Sequence, residues 1–115
     1  MKNQNLSDAY LNRFAGIGRL YGQQALGYFA QSHVVVVGIG GVGTWVAEAL
    51  ARSGVGQITL IDLDDICVTN TNRQAHALKD TIGESKVEVM AQRLKQINPE
   101  CIVNEVEDFI TTDNL

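Results

Sequence analysis

A chain of 115 residues with nine lysines and arginines against thirteen aspartates and glutamates, net charge −4, is one domain at most and offers no strong electrostatic surface of its own to nucleic acid or membrane. The polar start Met1-Lys2-Asn3-Gln4-Asn5 and the want of an apolar run of membrane-spanning length read as neither signal peptide nor transmembrane segment, so the expected location is cytoplasmic. Cys67 and Cys101 lie far apart and outside any metal-ligand spacing, which reads as two reduced structural thiols.

In chain order, residues 7–14 and 20–30 carry the pattern of two short helices. Ser7 or Asp8 caps the first, and Gly16 to Gly18 is expected to break the run. Residues 1–31 thus form an N-terminal helical arm. Arg13 and Arg19 sit on it, and their spacing alone suggests no more than solvated charges. Next comes His33-Val34-Val35-Val36-Val37. Four consecutive valines cannot alternate inward and outward, so this strand is predicted to be buried on both faces, the habit of a parallel sheet covered by helices. Gly38-Ile39-Gly40-Gly41-Val42-Gly43 ends the strand and opens a helix predicted over 44–53. A turn of this kind leaves unpaired backbone N–H groups at the positive end of a helix dipole, and glycine lets a phosphate approach them closely. Val46, Ala47, Leu50 and Ala51 follow helical spacing, and Gly54 stops the helix. His33 reads as structural or surface, and Trp45 as a core or domain-contact aromatic.

Residues 57–62 make the second strand, ending in Asp62 about 20 positions past the glycine turn, where a carboxylate can accept hydrogen bonds from both ribose hydroxyls. A right-handed crossover brings that carboxylate to the turn. Residues 63–74 form a polar connection without Gly or Pro, long enough to suggest a functional loop. Glu84-Ser85 then starts a helix striped by Val87, Met90, Leu94 and Ile97 and stopped by Asn98-Pro99. Lys86 stands in its first turn, the wrong end for a cation on dipole grounds, so it is either merely solvated or held by an anion. Residues 101–106 make a third strand, and Thr111 looks like the cap of a further helix. The fold class is therefore α/β, a Rossmann-like nucleotide-binding fold with a mainly parallel sheet and flanking helices. Residues 32–115 are read as its N-terminal half, and the chain as a fragment of a longer protein.

Gly38-x-Gly40-x-x-Gly43 with Asp62 satisfies the dinucleotide fingerprint, which leaves an NAD-dependent oxidoreductase open. The extra Gly41, the Asn70/Asn72/Arg73 cluster and Lys86 point elsewhere. A departing pyrophosphate needs cations where charge develops, whereas a bound dinucleotide needs few. On spacing alone, Arg73 and Lys86 remain open to being two ordinary exposed cations.

Taken together, Gly38 to Thr44, Ser53-Gly54-Val55-Gly56, Leu60-Ile61-Asp62-Leu63-Asp64, Thr69-Asn70-Thr71-Asn72-Arg73-Gln74, Gly83-Glu84-Ser85-Lys86 and Ile97-Asn98-Pro99 resemble the ThiF/MoeB/HesA adenylating superfamily, relatives of the ubiquitin-activating enzymes. The arm Asn12-Arg13-Phe14 with Arg19-Leu20-Tyr21-Gly22 and the stretch Asp64 to Leu78 resemble most closely the branch that dehydrates threonylcarbamoyladenosine in tRNA. The resemblance implies ATP as substrate, with Gly40, Gly41 and Gly43 facing its phosphates, Asp62 holding the ribose, and Gly38 and Asp64 also among the residues that bind it. Asn70, Arg73 and Lys86 would stabilise adenylyl transfer, and Arg13 would reach the partner's ATP site in a homodimer. It also implies magnesium, whose aspartate ligand is expected outside this chain, tRNA as substrate of the full-length protein, and sulfur-transfer partner proteins as a further option. Activation of a ubiquitin-like sulfur carrier protein is the nearest rival, and a non-catalytic nucleotide-binding module a more distant one.

Overall fold

Three parallel strands, β1 (His33–Val37), β2 (Gln57–Ile61) and β3 (Ile102–Val106), lie side by side in that order in a computed structural model whose described residues are 6–110. The register sets Val36 beside Leu60 and Leu60 beside Glu105. Four α-helices accompany them: α1 (Asp8–Tyr21), α2 (Gln23–Gln31), α3 (Gly43–Arg52) and α4 (Lys86–Ile97). This is the α/β, Rossmann-like arrangement that the hydrophobic pattern predicts.

Both strand-to-strand crossovers step the same way across the sheet, so the right-handed rule sends α3 and α4 to the same face. There α3 packs on β1 and on α4, and α4 covers β2 and β3. Val36, Ile58 and Leu60 from the sheet meet Ala47 and Ala51 of α3 and Val87, Met90 and Leu94 of α4 in one core. This geometry corrects the reading of the valine run. Val34 and Val36 face the core, whereas Val35 and Val37 are 51% and 59% exposed, because no described helix lies on the second face. That face instead carries a polar ladder, His33 Nε2 to Thr59 Oγ1 at 2.6 Å and Asn104 Nδ2 donating to Thr59 Oγ1 at 3.0 Å. Along α3 the predicted stripe also shifts. Val46 is exposed, and Thr44 and Glu48 take buried places beside Ala47 and Ala51.

The helical run of the arm is interrupted at Phe14, whose φ of −114° and ψ of 19° leave the helical range where the first short helix is expected to end. It then continues through Gly16 and Gly18, against the expected break there, to Gly22, whose φ of 97° turns the chain into α2. Gly18 is buried against α2, and a Cβ there would stand 3.5 Å from a Leu26 methyl and crowd the Gln23 amide. Close helix packing, not helix termination, is what this glycine serves. Ser7 Oγ caps α1 by accepting from the Tyr10 N–H at 3.0 Å. Tyr10, Phe14 and Leu26 form the arm's own small core, and the Tyr10 hydroxyl donates to the Gly54 carbonyl, tying the arm to the end of α3. Burial, helped by Glu100, pushes that phenol up to about 12.

Cys67 is exposed and Cys101 buried, both as free thiols, and burial pushes the Cys101 thiol up. Among the described residues no helix is long and apolar enough to cross a membrane. The polar stretch 1–5 and the cap expected at Thr111 lie outside the described residues.

Glu48 is the most buried carboxylate of the helical layer, 9% exposed. It accepts from Arg93 and, at 3.1 Å, from Arg52 Nε. Chiefly through the Arg93 hydrogen bond, its carboxyl is held below the ordinary glutamate range against the opposing pull of burial. A depressed folded-state pKa contributes stability that is present above the unfolded value and lost as pH falls through the folded one. Glu48→Gln is therefore expected to cost roughly 1–2 kcal/mol in urea unfolding at neutral pH. The gap to the parent should close on acidification below the ordinary glutamate range; a gap constant with pH would remove the ion pair from this account.

Candidate functional site

Parallel strands deliver all their carboxyl ends to one edge, and the polar segments converge there. The turn after β1 is held by the segment after β2. Gly38 N–H donates to the Ile61 carbonyl at 2.8 Å, and Asp62 receives the Ile39 N–H on Oδ2 at 2.7 Å and the Asp64 N–H on Oδ1 at 2.8 Å. Each carboxylate oxygen has thus accepted one backbone proton and keeps capacity for a second. Gly38 takes φ 88°. A Cβ on Gly43 would fall inside the Gly38 carbonyl, so only a glycine there lets α3 begin so close to the strand. Unlike α1 and α4, which Ser7 and Ser85 cap, α3 has no side-chain cap at its start and no acidic residue in its first turn. The Thr44 and Val46 N–H groups already donate to the Gly40 and Val42 carbonyls at 3.0 Å, so the amides that suit an anion are those of the turn from Gly40 to Gly43.

The connection between β2 and α4 closes over this turn. A 3₁₀ turn, Val68–Asn72, is pinned by Asn70, whose Oδ1 accepts from the Cys67 N–H at 2.8 Å. Asn70 is buried, and its amide oxygen is spent on holding the loop. Arg73 follows, exposed, with its side-chain stem laid across Gly41 about where a Cβ would come within 3.4 Å. Its Nη1 donates to Asn72 Oδ1 at 2.9 Å. The loop is stitched to α3 by Trp45 Nε1 donating to the Arg73 carbonyl at 2.8 Å and by the Ala75 N–H donating to Thr44 Oγ1 at 3.2 Å. Trp45 is accordingly half exposed at the site and not a core residue.

Lys86 is the first residue of α4 and only 7% exposed. Its backbone N–H donates to the Asp64 carbonyl at 3.1 Å, and the Asp65–Ser85 bridge locks the helix start beside the exit of β2. No described carboxylate lies within 4.0 Å of its ammonium. A buried cation without a partner is costly, and an anion at the neighbouring turn offsets that cost. Together the fold gathers Gly38, Gly40, Gly41, Gly43, Asp62, Asp64, Arg73 and Lys86 at one edge, with Asn70 behind them. Arg13 is not there. It reaches the Ile97 carbonyl at the other end of α4, at 3.5 Å, roughly 16 Å away along the helix by its rise per residue.

Two residues without an assigned role in the sequence belong to the site. His76, 1% exposed, has Nε2 at 2.9 Å from the Ile39 carbonyl. A carbonyl only accepts, so Nε2 carries the proton and buried Nδ1 keeps a lone pair without a partner. Burial first, and Lys86 after it, push this histidine down, while its hydrogen bond to Ile39 and the charge of Asp62 pull the other way. Gln74, also buried, sets Nε2 where a Cβ on Gly40 would come within 3.8 Å, and its Oε1 is likewise unpartnered. Neither signals itself by spacing; both emerge only from the folding of the loop over the turn. Among the described residues no three His, Cys, Asp or Glu side chains come together as a metal-ligand group.

The ThiF family model matches residues 12–115. The chain is 64% identical to the tRNA threonylcarbamoyladenosine dehydratase of Escherichia coli strain K12 over 96% of its own length, and spans 41% of that protein. A crystal structure of the E. coli dehydratase in complex with ATP superimposes with TM-score 0.92 at 66% identity, covering 94% of this chain and 44% of that one. The E. coli sulfur carrier protein ThiS adenylyltransferase is more distant, 38% identical over 84% of this chain and 37% of that protein. The chain belongs to the ThiF family.

The close approach at Gly43 is testable in the intact protein. Gly43→Ala forces the turn to open, and ATP affinity by isothermal titration is expected to fall by at least ~10-fold, equivalent to about 1.4 kcal/mol. Unchanged affinity with an unchanged melting temperature would show that the turn does not need the contact.

Proposed function

We infer that this ThiF-family chain is the nucleotide-binding part of an ATP-dependent dehydratase that cyclises threonylcarbamoyladenosine next to the anticodon of tRNA, by adenylating its carboxylate. The observation that carries the reading is the pair of cations beside the glycine turn, Arg73 lying over Gly41 and a buried, unpaired Lys86. The uncapped start of α3 and the glycine backbone suit a polyphosphate in its ground state. Asp62 suits the ribose, and the cleft of about 230 Å³ between Gly38, Asp62, Asp64 and Phe109 suits the nucleoside.

The chemistry then runs in two steps. The substrate carboxylate attacks the α-phosphate of ATP and pyrophosphate leaves, giving an acyl adenylate. The carbamoyl group next attacks the activated carbon, AMP leaves, and a ring closes with net loss of one water. Negative charge grows on the departing pyrophosphate in the first step, where fixed cations in a water-poor site are worth most. Arg73 and Lys86 fill that role, Asn70 fixes the loop that carries Arg73, and His76 and Asp62 hold the turn between them. Magnesium enters this reading only through groups outside the described residues, which offer no ligand cluster of their own. The reading also carries a cytoplasmic homodimer, with Arg13 directed at the partner's ATP site, and leaves room for sulfur-transfer proteins.

Activation of a ubiquitin-like carrier would use the same half-site; the higher identity to the dehydratases favours the tRNA substrate. An NAD-dependent oxidoreductase would leave Lys86 without a purpose. The intact protein, incubated with ATP and tRNA carrying threonylcarbamoyladenosine, is expected to yield the dehydrated nucleoside by mass spectrometry. Arg73→Ala and Lys86→Ala should each lower kcat by roughly 10²–10³-fold while changing ATP affinity far less. Undiminished turnover in Arg73→Ala, or a calorimetric preference for NAD over ATP, would overturn the adenylation reading.

A further inference from the structure

We propose that Trp45 is a positioning residue of this site: its indole N–H fixes the backbone of Arg73 and, through it, the guanidinium whose stem crosses Gly41. The proposal rests on the adenylation reading above. Arg73 stands where the connection passes from solvent to core, since Thr71, Asn72 and Arg73 are exposed whereas Gln74, Ala75, His76 and Ala77 are buried. Its N–H donates to the Asn70 carbonyl at 3.2 Å, and its Nη1 donates to Asn72 Oδ1 at 2.9 Å and to the Thr69 carbonyl at 3.3 Å. These three bonds stay inside the loop, so they shape it without setting where it stands over the glycine turn. Among the described residues, the hydrogen bond that ties residue 73 itself to another element is the one from Trp45 Nε1 to the Arg73 carbonyl, at 2.8 Å. Two residues further on, Thr44 Oγ1 accepts the Ala75 N–H at 3.2 Å and donates to the Gly40 carbonyl at 2.5 Å, which joins loop and turn behind the cation.

Trp45 suits this task physically. It rises from α3, whose neighbouring residues Thr44 and Ala47 are fully buried, so its base does not move with the loop. Side chains on a helix lean toward its N-terminus, which directs the indole back toward the glycine turn. An indole is a donor only, carried far from the backbone on two rotatable bonds, and so holds a distant carbonyl at small entropic cost. At 52% exposure the ring gains little from burial, which leaves its one directional contact as its main return. The amides of the turn hold phosphate whether or not the loop is in place, whereas a guanidinium that steadies a leaving group acts only from the right position. Loss of the indole N–H is therefore felt in the chemical step and not in the binding of nucleotide.

Trp45→Phe keeps an aromatic ring and removes the N–H. In the full-length protein it is expected to lower kcat for tRNA dehydration roughly 5- to 20-fold, with the ATP dissociation constant by calorimetry within about 2-fold of wild type. The second arm separates positioning from mere support of the fold. In Arg73→Ala no guanidinium is left to place, so adding Trp45→Phe there should lower kcat no further. Wild-type kcat in Trp45→Phe, with Arg73→Ala impaired, would overturn the proposal and leave the adenylation reading standing. So would the same fold-loss from Trp45→Phe in both backgrounds, which would make the indole act apart from Arg73, or a loss of ATP affinity as large as the loss of kcat. A wild-type protein that does not dehydrate the tRNA, or undiminished turnover in Arg73→Ala, would remove the reading above and this proposal with it.

Discussion

The carboxylate of Asp62 is the point on which the site depends. It closes β2, accepts the Ile39 N–H from the turn after β1, and accepts the Asp64 N–H from the segment that continues to the loop. A turn of four glycines among six residues has little side-chain packing to define it, and glycine backbone is entropically expensive to order. Fixing one N–H from below by Asp62 and one carbonyl by His76 makes Ile39 a clamped peptide inside an otherwise permissive loop. The neighbouring amides then point where the chain directs them, before any ligand arrives.

The same logic divides the binding of phosphate from its chemistry. Backbone amides at the start of α3 treat every phosphate alike and stabilise ground state and transition state about equally. Only a charge placed where the leaving group develops lowers the barrier preferentially. Under the adenylation proposed above, those charges would come from Arg73 on the connection after β2 and from Lys86, the first residue of α4, not from the turn itself. On that reading, the separation accounts for a lysine at a helix start, against the dipole, at 7% exposure. The position is unfavourable for the isolated chain and favourable with an anion in reach.

Most of the architecture was legible from local pattern. The second and third strands, the stripe of α4, the glycine turn and the carboxylate at the end of β2 each follow from periodicity or spacing within a few tens of residues. Legibility fails where a residue's role is set by what lies across from it. The valine run looked buried on both sides because hydrophobicity reports affinity for a core, not the side on which crossovers place one; two same-direction crossovers cover only one face. Gly18 looked like a stop because the pattern cannot distinguish a glycine that ends a helix from one that lets another helix approach. His76 and Gln74 stood inside a recognisable stretch, yet their work depends on the loop folding back on Ile39 and Gly40, which no spacing announces.

Charge shows the same limit from the other side. A net charge of −4 argues against an anionic partner only if charges are spread evenly, and here they are not. Glu48 illustrates how the distribution is kept: one buried carboxylate pairs two arginines from different helices and so fixes their direction while cancelling only half their charge. Removing the carboxylate would free the arginines to follow solvent, and removing one arginine would leave the other still anchored. Positional order, more than total charge, therefore decides whether an acidic chain can present a cationic surface, and in this fold that order comes from the packing of α3 against α4.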